Sequence, residues 1–167
     1  MSEEFRQEAS EQNRIRMNKL HALQEEGLNP YLMTRYAVTH SSQRIFEAFD
    51  LLEGKAVCVA GRMMSRRVMG KASFAHVLDR DGQIQIYVRL DDVGEDTYRR
   101  FRDFDLGDVI GVKGTVFRTR AGEVSVHATE VVLLTKCLHP LPEKFHGLKD
   151  TDLRYRQRYL DMIMNPE

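Results

Sequence analysis

"RRVMGKASFAHVLDRDGQIQIYVR", residues 66–89, is the stretch from which the architecture follows. Apolar and polar residues alternate through ASFAHVL (72–78) and again through QIQIYVR (83–89), the period of half-buried strands. Gly70-Lys71 fits a two-residue hairpin turn with glycine first, and Asp79-Arg80-Asp81-Gly82 joins the second strand to the third. Alternation then assigns the faces. Ala75 and Val77 share one side with Ile84, Ile86 and Val88, and this set belongs inside. Phe74, His76 and Leu78 share the outer side with Gln83, Gln85, Tyr87 and Arg89. The first turn places Arg67 opposite Phe74. The second leaves Gln85 beside either His76 or Leu78, with its face unchanged.

Outward from this hairpin, KAVCVAGRMMSRR (55–67) supplies a first strand, and Gly61 in its middle predicts a bulge or sharp curl. A helix is expected over 95–104. Leu106-Gly107-Asp108 then turns into a fourth strand (109–119), and Arg120-Ala121-Gly122-Glu123 turns into a fifth (124–135). Five strands with a helix between the third and fourth is the element order of an OB-fold, a mainly β, five-stranded Greek-key barrel. Upstream, residues 3–26 read as an N-terminal helix with a thin stripe of Ile15, Leu20 and Leu23, stopped by Gly27 and Asn29-Pro30. An extended connector (27–40) and a single short helix from Ser41 or Ser42 to Gly54 complete this part. The predicted organisation is a helical extension with its connector (1–54), the barrel (55–136), and a Pro-punctuated linker running into a further helix (137–167).

A chain of 167 residues holds one domain with a real core and some additional helix. Its 25 basic and 25 acidic side chains cancel, but not locally. Residues 55–90 carry seven Lys/Arg against two Asp/Glu, a net of +5, and residues 91–110 carry three against seven, a net of −4. The basic block is either a footprint for a polyanion or an ordinary solvated positive face. Cys58 and Cys137 stand far apart without CxxC or CxxH spacing, which argues against a disulfide framework or zinc site and for a reducing cytoplasm. No signal peptide and no apolar run of membrane length is present, so no membrane association is expected.

An OB-fold takes oligonucleotides on its strand 2–3 face and on the loops joining strands 1–2 and 4–5. On that face Phe74 offers a stacking platform, Gln85 and Gln83 offer amides, and His76 and Tyr87 stand beside them. Arg66, Arg67 and Lys71 rim the first loop, where cations hold phosphates; a base stacked on an aromatic ring contributes about 1–3 kcal/mol. The competing reading of Phe74 has it packed beneath the N-terminal helix. Glu123, in the 4–5 turn, repels phosphate but suits a base edge. Uracil presents a ring N–H that a carboxylate accepts, whereas cytosine presents a lone pair there, and that mismatch costs about 1–3 kcal/mol. Glu123 with a glutamine therefore selects uridine, unless it is an ordinary solvated turn residue.

No catalytic or metal-binding residue is assigned. His76 and His127 are strand residues at outer positions, and His139 and His146 fall in the linker. There is no nucleophile elbow, GxxxxGK[ST] loop or paired-carboxylate spacing, and most of the eight methionines read as core filler.

Three motifs in order, GRMMSRRVMGKASF (61–74), DGQIQIYVR (81–89) and FHGLKDTDLRYRQRYLDM (145–162), together with the GLNPY connector (27–31), resemble the N-terminal anticodon-binding region of bacterial-type class II lysyl-tRNA synthetases. The aspartyl and asparaginyl enzymes share the OB-fold and the Phe and Gln positions. The Met-Gly-Lys-Ala-Ser run (69–73) and the FHGLKD linker resemble the lysyl branch. The resemblance implies that Phe74 stacks on an anticodon base, that Gln85 reads the central uridine, and that Arg67 and Glu123 contact the anticodon. It implies lysine tRNA, through its anticodon loop, as partner, with no DNA and a cytoplasmic location. In that family ATP and magnesium serve a following catalytic domain, which forms lysyl-adenylate and most of a homodimer interface. No motif of that domain stands in these 167 residues. This chain alone is accordingly expected to bind no cofactor, to charge no tRNA, and to be a monomer or weak dimer. The rival expectations are a free-standing RNA-binding protein derived from such a module, and a barrel whose face binds a protein partner.

Overall fold

The alternation of residues 72–89 becomes two walls of a closed barrel in the computed structural model, which describes residues 3–141 and 151–165. The strands are β1 (Ala56–Met69), β2 (Ala72–Leu78), β3 (Gln83–Arg89), β4 (Val109–Arg118) and β5 (Val124–Thr135), neighbours in the order β1-β2-β3-β5-β4. β1 is long enough to serve twice, pairing through Ala56–Arg62 with β4 and through Arg62–Met69 with β2. The register puts Arg67 opposite Phe74 as expected, and it resolves the second turn in favour of His76 opposite Gln85. Three parallel pairs, Gln85 with Ser125, Ile86 with Val126 and Tyr87 with His127, close the barrel. Inside lie Val77, Ile84, Ile86, Val88, Val112 and Val126, none more than 1 % exposed. Each such side chain contributes about 1.5–3 kcal/mol relative to being left in water.

Gly61 is not the bulge. The irregularity in β1 falls between Met63 and Ser65, while Gly61 pairs regularly with Ile110. Its own role is close approach, because a Cβ there would stand 2.4 Å from the Leu78 carbonyl oxygen. Glycine lets β1 cross the end of β2 at backbone distance.

One predicted helix is divided in two, and another is preceded by an extra helical turn. The segment after the connector forms α2 (Ser42–Glu47) and α3 (Phe49–Leu52), broken at Ala48, whose φ of −108° and ψ of 24° are not helical. The break lets Ile45 and Phe49 both reach the core. Between β3 and β4, the expected helix is α5 (Glu95–Asp103), but α4 (Leu90–Val93) precedes it and Gly94 separates them. The connector contains a 3-10 turn, Pro30–Leu32, started by the Asn29 side chain accepting from the Tyr31 N–H at 3.1 Å. Asp79 ties the hairpin to α2: one carboxylate oxygen accepts from the Ser42 N–H at 2.6 Å. The other accepts from the Ser42 hydroxyl at 2.7 Å and from the Asp81 and Gly82 amides at 2.8 and 2.9 Å.

α1 (Glu3–Glu25) ends in a Schellman arrangement, with Leu28 N–H donating to the Leu23 carbonyl at 2.8 Å and Gly27 N–H to Gln24 at 3.1 Å. It docks on the end of the barrel rather than over Phe74. Arg16 donates to the carbonyls of Leu106 and Cys137 at 3.1 and 2.8 Å, and Lys19 meets Asp105 at 2.7 Å. Beneath them Lys136, only 4 % exposed, is 2.5 Å from Asp105 and 2.8 Å from the fully buried Asp108. Burial pushes the Asp105 carboxyl upward, but the ammonium groups of Lys136 and Lys19 outweigh it and hold it below its ordinary value. In the C-terminal part, Arg154 of α6 (Thr151–Arg156) reaches Asp161 of α7 (Arg158–Met164) at 2.7 Å, and Arg158 meets the same carboxylate within α7 at 2.7 Å. The predicted FHGLKD linker motif (145–150) lies outside the described residues. Among the described residues no helix is long and apolar enough to cross a membrane.

Candidate nucleic-acid interface

The β1–β2 hairpin carries Arg67, Lys71 and Phe74, and α5 holds it from behind. Tyr98, 3 % exposed, donates its hydroxyl proton to the Gly70 carbonyl at 2.9 Å and accepts from the buried Ser73 hydroxyl at 2.9 Å. Arg66 does similar work and departs from its expected place at the phosphate rim. Its Cα pairs with Ala75, so its side chain lies on the opposite face from Phe74, and it donates to the carbonyls of Phe101 (2.9 Å) and Phe104. These carbonyls lie at the end of α5, where a cation is favoured. Burial lowers the Arg66 pKa, with the nearby Asp105, Asp103 and Asp108 opposing that effect. Arg67 and Lys71 stay exposed at the hairpin.

The outer face holds more aromatic surface than the sequence reading assigned. Phe74 pairs with Tyr87 across β2 and β3, ring centroids 4.9 Å apart and tilted by 34°. Tyr87 continues to His127 on β5 at 5.1 Å, and Phe117 on β4 lies 5.9 Å from His127 and 6.1 Å from Tyr87. Four rings thus run across four strands. Strand alternation marks Phe117 and His127 as outward-facing, but their adjacency to Tyr87 depends on the parallel β3–β5 closure, which has no local sequence signal.

Beside this row lies a hydrogen-bonded network. The five-residue loop Thr119–Glu123 joins β4 to β5, with Gly122 at a φ of 90°, a left-handed turn position that glycine takes without strain. Thr119 closes it: its N–H donates to the Glu123 carbonyl and its hydroxyl accepts from the Glu123 N–H, at 2.9 and 3.0 Å. Glu123 is thereby held over β2 and β3. Its oxygens accept from Gln85 Nε2 at 2.7 Å and from His76 Nε2 at 3.1 Å. The Gln85 carbonyl oxygen in turn accepts from the Ser125 hydroxyl at 2.9 Å, and His76 Nδ1 meets the Ser65 hydroxyl at 2.9 Å. Ser65 and Ser125 had no signal in the pattern, and serine in a strand carries none. Glu123 keeps 46 % of its side chain exposed, so it is both anchored and accessible.

The free charge here is smaller than the sequence count. Of the seven cations in 55–90, Arg89 is paired with Asp91 and Asp92 at 3.1 and 3.4 Å, and Arg80 with Asp81 at 3.2 Å. Arg62 donates to the Gly107 carbonyl at 2.7 Å, and Arg66 serves α5. Lys55, Arg67 and Lys71 remain exposed. Among the described residues no three His, Cys, Asp or Glu side chains converge on a metal-sized site.

The closed five-stranded barrel has the strand order of an OB-fold, and residues 57–134 match the tRNA anticodon family, described as an OB-fold nucleic acid binding domain. The chain as a whole is similar to part of lysine–tRNA ligases. It is 56% identical to that of Moorella thermoacetica over 153 residues, 92% of this chain and 31% of the ligase. For Clostridium novyi the values are 53% over 152 residues, 91% and 30%; for Clostridium botulinum strain Hall they are 50% over 163 residues, 98% and 32%. The chain thus spans about a third of the length of these relatives, and the match is to their N-terminal part.

Proposed function

We propose that this barrel binds the anticodon loop of lysine tRNA and serves a lysine–tRNA ligase, the cytoplasmic enzyme that attaches lysine to its tRNA at the expense of ATP. The observation that carries the reading is Glu123 anchored over Gln85 next to the half-buried, outward-facing Phe74 ring: a stacking surface and a base-edge reader side by side. Phe74, with Tyr87 behind it, stacks on one base. Gln85 and Glu123, with His76 on the other carboxylate oxygen, read the edge of a uridine. Arg67 and Lys71 hold the phosphates, and Arg66 supports them through α5. The 50–56% identity to lysine–tRNA ligases supports the choice of tRNA. On this reading the ATP and magnesium of the reaction serve the ligase and not this barrel. Nor does this reading assign the chain a self-association interface.

The test is a titration of a lysine anticodon stem-loop at several salt concentrations. Affinity should fall linearly in log–log form, and Arg67→Ala or Lys71→Ala should each reduce the slope by about 0.7, the value for one phosphate on a single strand. Both variants should weaken matched and mismatched loops alike, because phosphate contacts carry no sequence information. A salt-independent titration points instead to a face built for a protein.

A further inference from the structure

A cavity of about 820 Å³ lies at the far end of β2 from the Gly70-Lys71 turn, apart from the aromatic row and the Gln85–Glu123 pair. Three arginines from three separate elements line it, Arg44 of α2, Arg62 of β1 and Arg80 of the β2–β3 turn, with His40 beside them. One carboxylate lines it, Asp79, and its oxygens are taken up by donors of Ser42, Asp81 and Gly82. The arginines are not spent in the same way. Arg62 gives one guanidinium nitrogen to the Gly107 carbonyl at 2.7 Å, which leaves it most of its N–H donors. Arg80 meets Asp81 at 3.2 Å through Nε, on a side chain 87 % exposed, and an exposed pair of that kind holds weakly. Arg44 pairs with no described carboxylate. Guanidinium groups that keep free donors around one cavity suit an anion, and their planar forks suit phosphate.

Its place on the sheet indicates the source of that phosphate. Leu78, in the cavity lining, follows Phe74 and His76 on the outer side of β2, and Arg62 is the cross-strand partner of Leu78. The cavity therefore lies on the side that carries Phe74, about 13 Å further along the strand. The single-strand site of one OB-fold covers about 4–16 nucleotides, so a strand stacked on Phe74 reaches it. Glu123, held over the middle of β2 and β3, repels phosphate. The backbone is then held at the two ends of β2, by Arg67 and Lys71 at one and by the cavity at the other. Ala60, Leu78 and Val109 add apolar lining that suits the C–H face of a ribose, a contact that inorganic phosphate leaves unused.

We propose that this cavity is a second phosphate site, which takes one phosphodiester of the RNA strand stacked on Phe74 between Arg44, Arg62 and Arg80, with the ribose against Leu78. The proposal rests on the reading of the outer face as an RNA-binding surface. The site adds affinity and fixes the path of the strand along β2. It carries no base selectivity, because a phosphate is common to every sequence.

The experiment uses lysine anticodon stem-loops in which each loop phosphate in turn is a neutral methylphosphonate. They are titrated against the wild-type chain and against the double variant Arg44→Ala/Arg80→Ala, which removes two exposed side chains and leaves the core intact. In the wild type one methylphosphonate, beyond the phosphates that meet Arg67 and Lys71, should cost about tenfold in affinity, the scale of a hydrogen bond to a charged group. The double variant should bind every unmodified loop about tenfold more weakly whatever its sequence, with a log–log salt slope smaller by about 0.7. In that variant the same methylphosphonate should cost nothing further. Amide resonances of Thr39, His40 and Ser41, which line the cavity, should move when the stem-loop binds. Inorganic phosphate and AMP, added alone, are the free-anion probes, and the stem-loop should displace them. Melting curves check that the variant folds, and Arg44→Gln/Arg80→Gln takes its place where alanine does not. If AMP or phosphate fills the cavity and the stem-loop leaves it there, the site serves a free ligand and the RNA assignment is overturned. A loop that binds with its full salt dependence, yet shows no difference between wild type and double variant at any methylphosphonate, overturns the proposal but not the RNA-binding reading. A wild type that binds no stem-loop overturns both.

Discussion

Replacing Phe74 with alanine separates recognition from folding, because the ring contributes unequally to the two. Phe74 stands on the outer side of β2, outside the core, which is filled by Ala75, Val77, Ile84, Ile86 and Val88. Its close aromatic neighbour is Tyr87, at 4.9 Å. An aromatic pair contributes about 0.5–1.5 kcal/mol beyond area burial, so the fold should lose about 1 kcal/mol. For a chain of 167 residues that lowers the melting temperature by about 2–4 °C. The loss of a stacked base should cost about 1–3 kcal/mol of binding, a factor of roughly 5 to 150 in dissociation constant. Phe74→Tyr keeps the π-face and should retain most of the affinity. The assay is a stem-loop titration at low temperature beside a melting curve of the same preparation. If alanine instead removes about 3–5 kcal/mol of stability, as for a buried ring, while the folded fraction binds normally, the stacking argument fails.

Glu123→Gln should relax discrimination between uridine and cytidine more than it lowers affinity, because an amide can turn an N–H toward cytosine's lone pair; paired titrations with loops differing at one uridine measure this. Arg66→Ala should destabilise the fold by about 1–3 kcal/mol, by removing the guanidinium that meets the Phe101 and Phe104 carbonyls. Urea unfolding should report that loss, with unchanged affinity in the folded protein. Asp105, held below its ordinary 3.8 by Lys136 and Lys19 once burial is overcome, contributes stability that is fully present above that pH and lost as the pH falls below it through the depressed folded-state value. Urea midpoints taken from about pH 6 to about pH 3 should therefore fall at the acid end, and Asp105→Asn should flatten that fall while lowering the midpoint at neutral pH.

The barrel and its faces were legible because alternation is local. A strand with Val77 inward has Phe74, His76 and Leu78 outward whatever its partners are, and a two-residue turn at Gly70-Lys71 dictates that Arg67 faces Phe74. The same local logic marks the stop at Gly27, whose neighbours then make the expected capping bonds. The break at Ala48 and the turn of helix at Leu90–Val93 were not legible. They follow from where Ile45, Phe49 and the end of β3 must go to cover the core, which is a demand of the assembled barrel. Arg66 shows the limit most directly. Alternation turns it away from the face of Arg67, but only the packing of α5 against the barrel brings the Phe101 and Phe104 carbonyls to meet it. The recognition pair is intermediate. Gln85 and Glu123 each lay in a readable zone, but only barrel closure, with β5 parallel to β3 and Ser125 beneath Gln85, sets their bond and its proton directions. Periodicity determines which way a side chain points; which groups it then meets is decided by strands distant in sequence, and hydrogen-bond direction exists only once they meet.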